Sequence, residues 1–146
     1  VRTITFPNGA KGANVEALPN TCVSKFKLLR FLDLSDSTCK TLPRSIGKLK
    51  HLRNFSIARN RNIKRLPNSI CKLQNLQFLS VYACKELEAL PKGLRKLISL
   101  RHLEITTKQP VLPYSEITNL ISLAFLCIES CHNMESIFGG VKFPAL

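Results

Sequence analysis

No stretch of this 146-residue chain carries the ~18 consecutive apolar residues of a bilayer-spanning helix, so no membrane span is expected. The N-terminus, VRTITFPNG, also lacks the charged-then-apolar layout of a secretory signal. Six cysteines (22, 39, 71, 84, 127 and 131) include no CxxC pair, and the one close pair, Cys127 and Cys131, has no second pair to complete a zinc site. Their positions suggest free, buried, reduced thiols and hence a reducing compartment. The three histidines, His51, His102 and His132, fall in separate parts of the chain without Ser-His-Asp or metal-ligand spacing, and glycine-rich phosphate loops are missing. These absences argue against an enzyme, a metal and a cofactor. Acidic residues are scarce, nine against 22 lysines and arginines, for a net charge of +13. Such an excess raises nucleic acid or an anionic membrane as partners. Its distribution argues otherwise: Lys40, Lys48, Lys50, Lys64, Arg65, Lys72, Lys85, Arg95 and Lys96 are spread among apolar anchors with no aromatic platform beside them. That is the pattern of a solvated outer face, or of one that docks on an acidic domain of the same parent chain; no nucleic-acid partner is expected.

What the chain has in quantity is regularly spaced leucine. From LRNFSIARNRNIKRLPNSICKLQNL at Leu52, one frame repeats up and down the sequence, its first leucine at 29, 52, 76, 100, 123 and 146. The interval of 23 or 24 residues is that of a leucine-rich repeat. Each unit opens with a leucine followed by two apolar residues in alternation: Leu29/Leu32/Leu34, Leu52/Phe55/Ile57, Leu76/Leu79/Val81, Leu100/Leu103/Ile105 and Leu123/Leu126/Ile128. Alternation predicts a short strand, with neighbours ~4.8 Å apart. A turn and L-P-x-x-[IL]-x-x-L follow, as in Leu42-Pro43/Ile46/Leu49, Leu66-Pro67/Ile70/Leu73 and Leu90-Pro91/Leu94/Leu97. Proline cannot donate to a ladder, and the three-residue spacing after it suits a 3₁₀ or helical turn.

The fold class expected is therefore an α/β repeat, a leucine-rich-repeat solenoid. It should curve because the outer half is bulkier than a strand, with parallel strands on the concave face and 3₁₀ turns or short helices on the convex one. A single domain over 1–146 is expected, with repeats starting near 1, 29, 52, 76, 100 and 123. Because it is in frame at Val1 and again at Leu146, it reads as a fragment truncated at both ends.

Finer expectations follow from particular residues. Val1, Ile4 and Phe6 predict a first strand from Val1 to Phe6, then the Gly-, Asn- and Pro-rich connection PNGAKGANVEALPN. Val23, Phe26, Leu28 and Leu29 predict a short outer helix with Asn20 or Thr21 as its N-cap. Asn60, ninth in its repeat, can bond backbone groups where the chain leaves the sheet. Cys84 and Cys131 are weaker substitutes there, and Ser37 and Lys108 depart further. An extra residue between Pro113 and Ile117 predicts an irregular outer turn, and the sequon Asn54-Phe55-Ser56 falls within a predicted strand.

LPRSIGKLKHL, LPNSICKLQNL and LPKGLRKLISL, with the opening LRFLDLS and the turns VYACKEL and IESCHNM, resemble plant intracellular immune receptors. These are the nucleotide-binding, leucine-rich-repeat (NB-LRR) disease-resistance proteins, and the likeness covers essentially the whole chain. It implies a cytoplasmic recognition and regulatory segment that senses pathogen effectors, directly or through a host protein, and restrains the nucleotide-binding domain of its own parent chain. No nucleotide-binding segment is present in these residues, and the G-x-IP phrase typical of secreted plant repeats is missing. Two other readings remain: a scaffold that docks small GTPases or signalling partners, in which related LPxxIxxL repeats occur, and binding of an anionic polymer.

Side chains between the inward leucines define the expected protein-binding surface. They are Arg30, Arg53, Gln77 and Arg101 at the second position; Phe31, Asn54, Phe78, His102 and Phe125 at the third; Asp33, Ser56, Ser80 and Glu104 at the fifth; and Tyr82 and Glu129 at the seventh. Aromatic side chains beside a basic column are a mixture that dominates protein interfaces. The other account of the rings is that they pack on neighbouring concave side chains or lie beneath another domain of the parent.

Overall fold

The computed structural model describes residues 1–5, 17–110 and 112–129. Six strands form one parallel sheet in strictly sequential order. They are β1 (Thr3–Thr5), β2 (Phe31–Asp33), β3 (Asn54–Ser56), β4 (Phe78–Val81), β5 (His102–Thr106) and β6 (Phe125–Glu129). Each of the first five strands is followed on the outer side by a return segment: α1 (Leu18–Lys25), 3₁₀ turns at Arg44–Lys48, Asn68–Lys72 and Leu94–Lys96, and α2 (Tyr114–Thr118). This is the leucine-rich-repeat solenoid that the leucine period predicts.

The same register runs through the sheet: Leu32 pairs with Phe55, Phe55 with Leu79, Leu79 with Leu103 and Leu103 with Leu126. Side chains one repeat apart are thereby stacked. The opening leucines 29, 52, 76, 100 and 123 are at most 1 % exposed, and Ile46, Leu49, Ile70, Leu73, Leu94 and Leu97 meet them from the outer side. One continuous core results, shared by consecutive units, so no unit buries its apolar face alone.

Pro43 and Pro67 stand in extended conformation just before their 3₁₀ turns, with ψ of 146° and 137°, and so steer the chain off the sheet without costing a ladder donor. The third turn follows Gly93 at φ 92°, a conformation glycine adopts without strain.

Several local expectations are corrected. The first strand is shorter, Thr3–Thr5, and Phe6 lies outside the described residues, as do most of the connection after it, Cys131, His132 and the unit opened by Leu146. The outer helix begins at Leu18 rather than beyond Asn20, capped by Ala17 without a side-chain bond. A proline in its first turn favours that start, and the Thr21 hydroxyl bonds back to the Ala17 carbonyl within the helix at 3.1 Å. The helix stops at Lys25, which leaves Leu28 64 % exposed instead of on a buried face. The extra residue before Ile117 is absorbed by a turn of α-helix, α2, in place of a 3₁₀ turn.

Candidate functional site

The strand face is zoned into columns, because residues at equal repeat positions lie side by side. One residue before the strands, the backbone ladder continues: Arg30 N bonds Arg2 O at 2.8 Å, Arg53 N bonds Arg30 O at 2.8 Å, Gln77 N bonds Arg53 O at 2.7 Å and Arg101 N bonds Gln77 O at 2.9 Å. This fixes Arg2, Arg30, Arg53, Gln77 and Arg101 as one exposed column. Among the described residues none of its four guanidiniums has an ion-pair partner. Arg2 was missing from the expected surface, although the frame at Val1 would have found it.

Next to it runs the third column, in the register Phe31, Asn54, Phe78, His102, Phe125. The His102 ring lies between its neighbours, 4.6 Å from Phe78 and 4.2 Å from Phe125, with interplanar angles of 23° and 12°. Three rings thus form one stack, which is the packing account of these residues. The stack still faces outward: Phe78 and His102 are half-buried and Phe125 is 47 % exposed. Phe31 stands apart from it, beyond Asn54, across a cleft of about 210 Å³.

The fifth column is polar and internally bonded. Ser80, expected to face solvent, is buried, and its hydroxyl donates to Glu104 Oε2 at 2.6 Å. Glu104 Oε1 lies 3.0 Å from His102 Nε2. Burial alone pushes the Glu104 carboxyl up, but the bonds from Ser80 and His102 together outweigh it and hold the group below its ordinary value. Asp33 accepts from the Ser35 amide at 2.9 Å, and the Ser35 and Ser56 hydroxyls meet at 2.7 Å.

At the seventh position Tyr82 reaches Glu129, and the bond to that carboxylate raises its phenol pKa. A pair beside it had no forecast. Arg59 grips Asp36 of the preceding repeat with three contacts of 2.6 to 2.9 Å, which hold the Asp36 carboxyl below its ordinary range. The two are eighth in their repeats, a coincidence the leucine frame exposes.

Of the expected surface residues, Arg30, Arg53 and Arg101 therefore share the basic column; Phe78, His102 and Phe125 the stack; Asp33 and Glu104 the acidic side. Phe31 borders the cleft, and Tyr82 with Glu129 closes the far edge. The outer cations from Lys40 to Lys96 named above are all exposed. No group of three or more metal-ligating side chains occurs among the described residues, and no helix there is long and apolar enough to cross a membrane.

Residues 11–139 match the model of a leucine-rich repeat region. No curated protein matches the chain. Among solved structures it is similar to an internalin C2 from Listeria monocytogenes, at 20 % identity and a TM-score of 0.63 over 88 % of this chain and 57 % of that one. A leucine-rich-repeat protein of Leptospira interrogans aligns at 23 % identity and a TM-score of 0.50, over 73 % of this chain and 32 % of that one. The plant peptide hormone receptor RGFR1, in complex with RGF2, aligns at 23 % and 0.50, over 87 % and 24 %. The chain thus spans between a quarter and somewhat over half of the length of these proteins. At such identities the likeness is one of fold.

Proposed function

The chain belongs to the leucine-rich-repeat family, and we propose on that premise that its strand face recognises protein partners for a cytoplasmic plant immune receptor of the nucleotide-binding class. The observation that carries the recognition surface is an outward-facing stack of three rings next to a column of arginines that have no ion-pair partner among the described residues. Apolar rings and desolvatable guanidiniums in one patch favour association with a second surface. The phrases LPRSIGKLKHL, LPNSICKLQNL and LPKGLRKLISL support the immune-receptor class. In that setting the partner is a pathogen effector or a host protein, together with the nucleotide-binding domain of the same parent chain.

Two measurements test this. In the full-length parent, Phe78→Ala with Arg101→Ala should leave the array folded and weaken binding of the partner or of the intramolecular domain by about 2–4 kcal/mol, the scale of central interface anchors. Retention of resting inhibition and triggered response in that double variant, with loss of either on changing the outer-face Lys48 and Lys72, would place the interface on the outer side. The class itself turns on the parent sequence: G-x-x-x-x-G-K-[ST] upstream of the array bears out the receptor, and its absence favours a scaffold for small GTPases.

A further inference from the structure

We infer that the gap above Asn54 is an intercalation slot for one aromatic side chain of an acidic partner segment, a reading that rests on the strand face being the recognition surface. From Phe31 to Phe125 the third column is a ladder of rings with a single rung missing; Thr3 precedes it on β1. Where the rung is present, at His102, planar groups on consecutive strands stack at 4.6 and 4.2 Å. Asn54 stands in register between Phe31 and Phe78 and is the one residue without a ring between Phe31 and Phe125. The two rings therefore sit two strand spacings apart, roughly 9.5 Å, which leaves the thickness of one ring between them. The cleft of about 210 Å³, lined by Phe31, Asn54 and Phe78 together with Asp33, Phe55 and Ser56, has room for such a ring, since cavities of roughly 150 Å³ hold benzene.

Chemistry at the rim selects the rest of the ligand. Asn54 is half-buried, and its amide makes no side-chain hydrogen bond among the described residues, so it can bond the backbone on either side of an inserted ring. On one flank lie Arg30 and Arg53, exposed and without ion-pair partners among the described residues. The opposite flank carries Asp33 and, one repeat beyond the slot, the Ser80–Glu104 pair. This polarity favours carboxylates next to the aromatic residue on the arginine side and disfavours a basic segment there. The occupant is thus a protein segment with one aromatic residue flanked by acidic ones.

The test uses the full chain and a blocked pentapeptide with a central phenylalanine between two pairs of aspartates, against its central-alanine analogue. Calorimetric titration should show the phenylalanine peptide binding on the order of tenfold tighter, from stacking on two ring faces. Asn54→Phe supplies the missing rung from within and should abolish that preference, leaving both peptides equal. Phe31→Ala, which removes one wall, should reduce it as well and serves if Asn54→Phe fails to fold. Equal binding of the two peptides to the unaltered chain, a preference that survives both variants, or no binding at millimolar peptide would each overturn the slot. Arg30→Ala with Arg53→Ala separates this from the broader reading. If it weakens both peptides while the phenylalanine preference is absent, the recognition face stands without the slot. If Lys48 and Lys72 changes weaken them instead, both fall.

Discussion

Asn60 is fully buried, and its amide has four partners: Nδ2 donates to the Leu34 carbonyl at 2.8 Å and to that of Ile57 at 2.7 Å, while Oδ1 lies 3.2 Å from the Cys39 amide and 2.8 Å from the Ser37 hydroxyl. That hydroxyl is also 2.8 Å from the Leu34 carbonyl and can donate to one of the two at a time. Asn60→Ala would orphan buried backbone groups in two repeats, so a loss of roughly 2–4 kcal/mol is expected by denaturant unfolding. A change under about 0.5 kcal/mol would contradict the role. Where the ninth residue is Cys84, its thiol donates to the Ile57 carbonyl at 3.2 Å; where it is Lys108, the buried Thr107 hydroxyl takes over by bonding Leu87 O at 2.8 Å. Burial raises the Cys71 and Cys84 thiols from 9.0 to about 11, so both stay protonated near neutrality. An aromatic disulfide reagent at pH 8 should label half-buried Cys127 well before either. Because these two thiols titrate higher in the folded chain than in the unfolded one, they contribute stability fully below pH 9. That contribution should fade as pH rises toward 11, which thermal melts across the range would reveal.

Between residues and the whole stand the turns, where two local geometries predict changes of opposite sign. Asp36, Arg59 and Ala83 each occupy the eighth position of a repeat and each has a left-handed backbone, with φ of 54°, 59° and 54°. A side chain there costs about 1–2 kcal/mol, so Ala83→Gly should raise stability by about 0.5–1 kcal/mol after the extra freedom of glycine in the unfolded chain is discounted. Gly47 is the reverse case: a Cβ there would come within 2.5 Å of the Ser69 carbonyl, forcing the 3₁₀ turns of adjacent repeats apart. Gly47→Ala should cost about 1–3 kcal/mol, and thermal unfolding of both variants checks the pair. These features also mark how far the sequence can be read. The inward positions were legible because a leucine either recurs every 23 or 24 residues or does not, and burial of Leu29, Leu52 and Leu76 depends on nothing else. The column of Phe31, Asn54, Phe78, His102 and Phe125 was legible for the same reason. Its stacking and its gap were not, since both depend on strand spacing and on ring orientations that no single repeat encodes. Helix α1 was misplaced because side-chain caps are stronger textual signals than a proline in the first turn, and Leu28 went with it.

On the scale of the molecule, the stacked repeats turn local charge choices into a field. The chain carries 22 lysines and arginines against nine acidic residues, and its positive groups occupy both the outer face and the arginine column at the edge of the strand face. Long-range attraction does not distinguish the two sides, because potentials sum over the whole surface; contact does, because a charge helps to hold a bound partner only where binding desolvates it. Salt therefore separates steering from holding. For a bound acidic segment, raising ionic strength from about 0.05 to 0.5 M shortens the Debye length from roughly 14 to 4 Å, and the association rate should fall by about one to two orders of magnitude. Dissociation should change little if the inserted ring and the bonds of Asn54 hold the complex, because these contacts carry no net charge. Stopped-flow measurement of both rates with the acidic phenylalanine peptide decides the matter. A dissociation rate that rises with salt as steeply as association falls would mean that the +13 surface alone retains the ligand, and that the rings of the strand face contribute nothing to its hold.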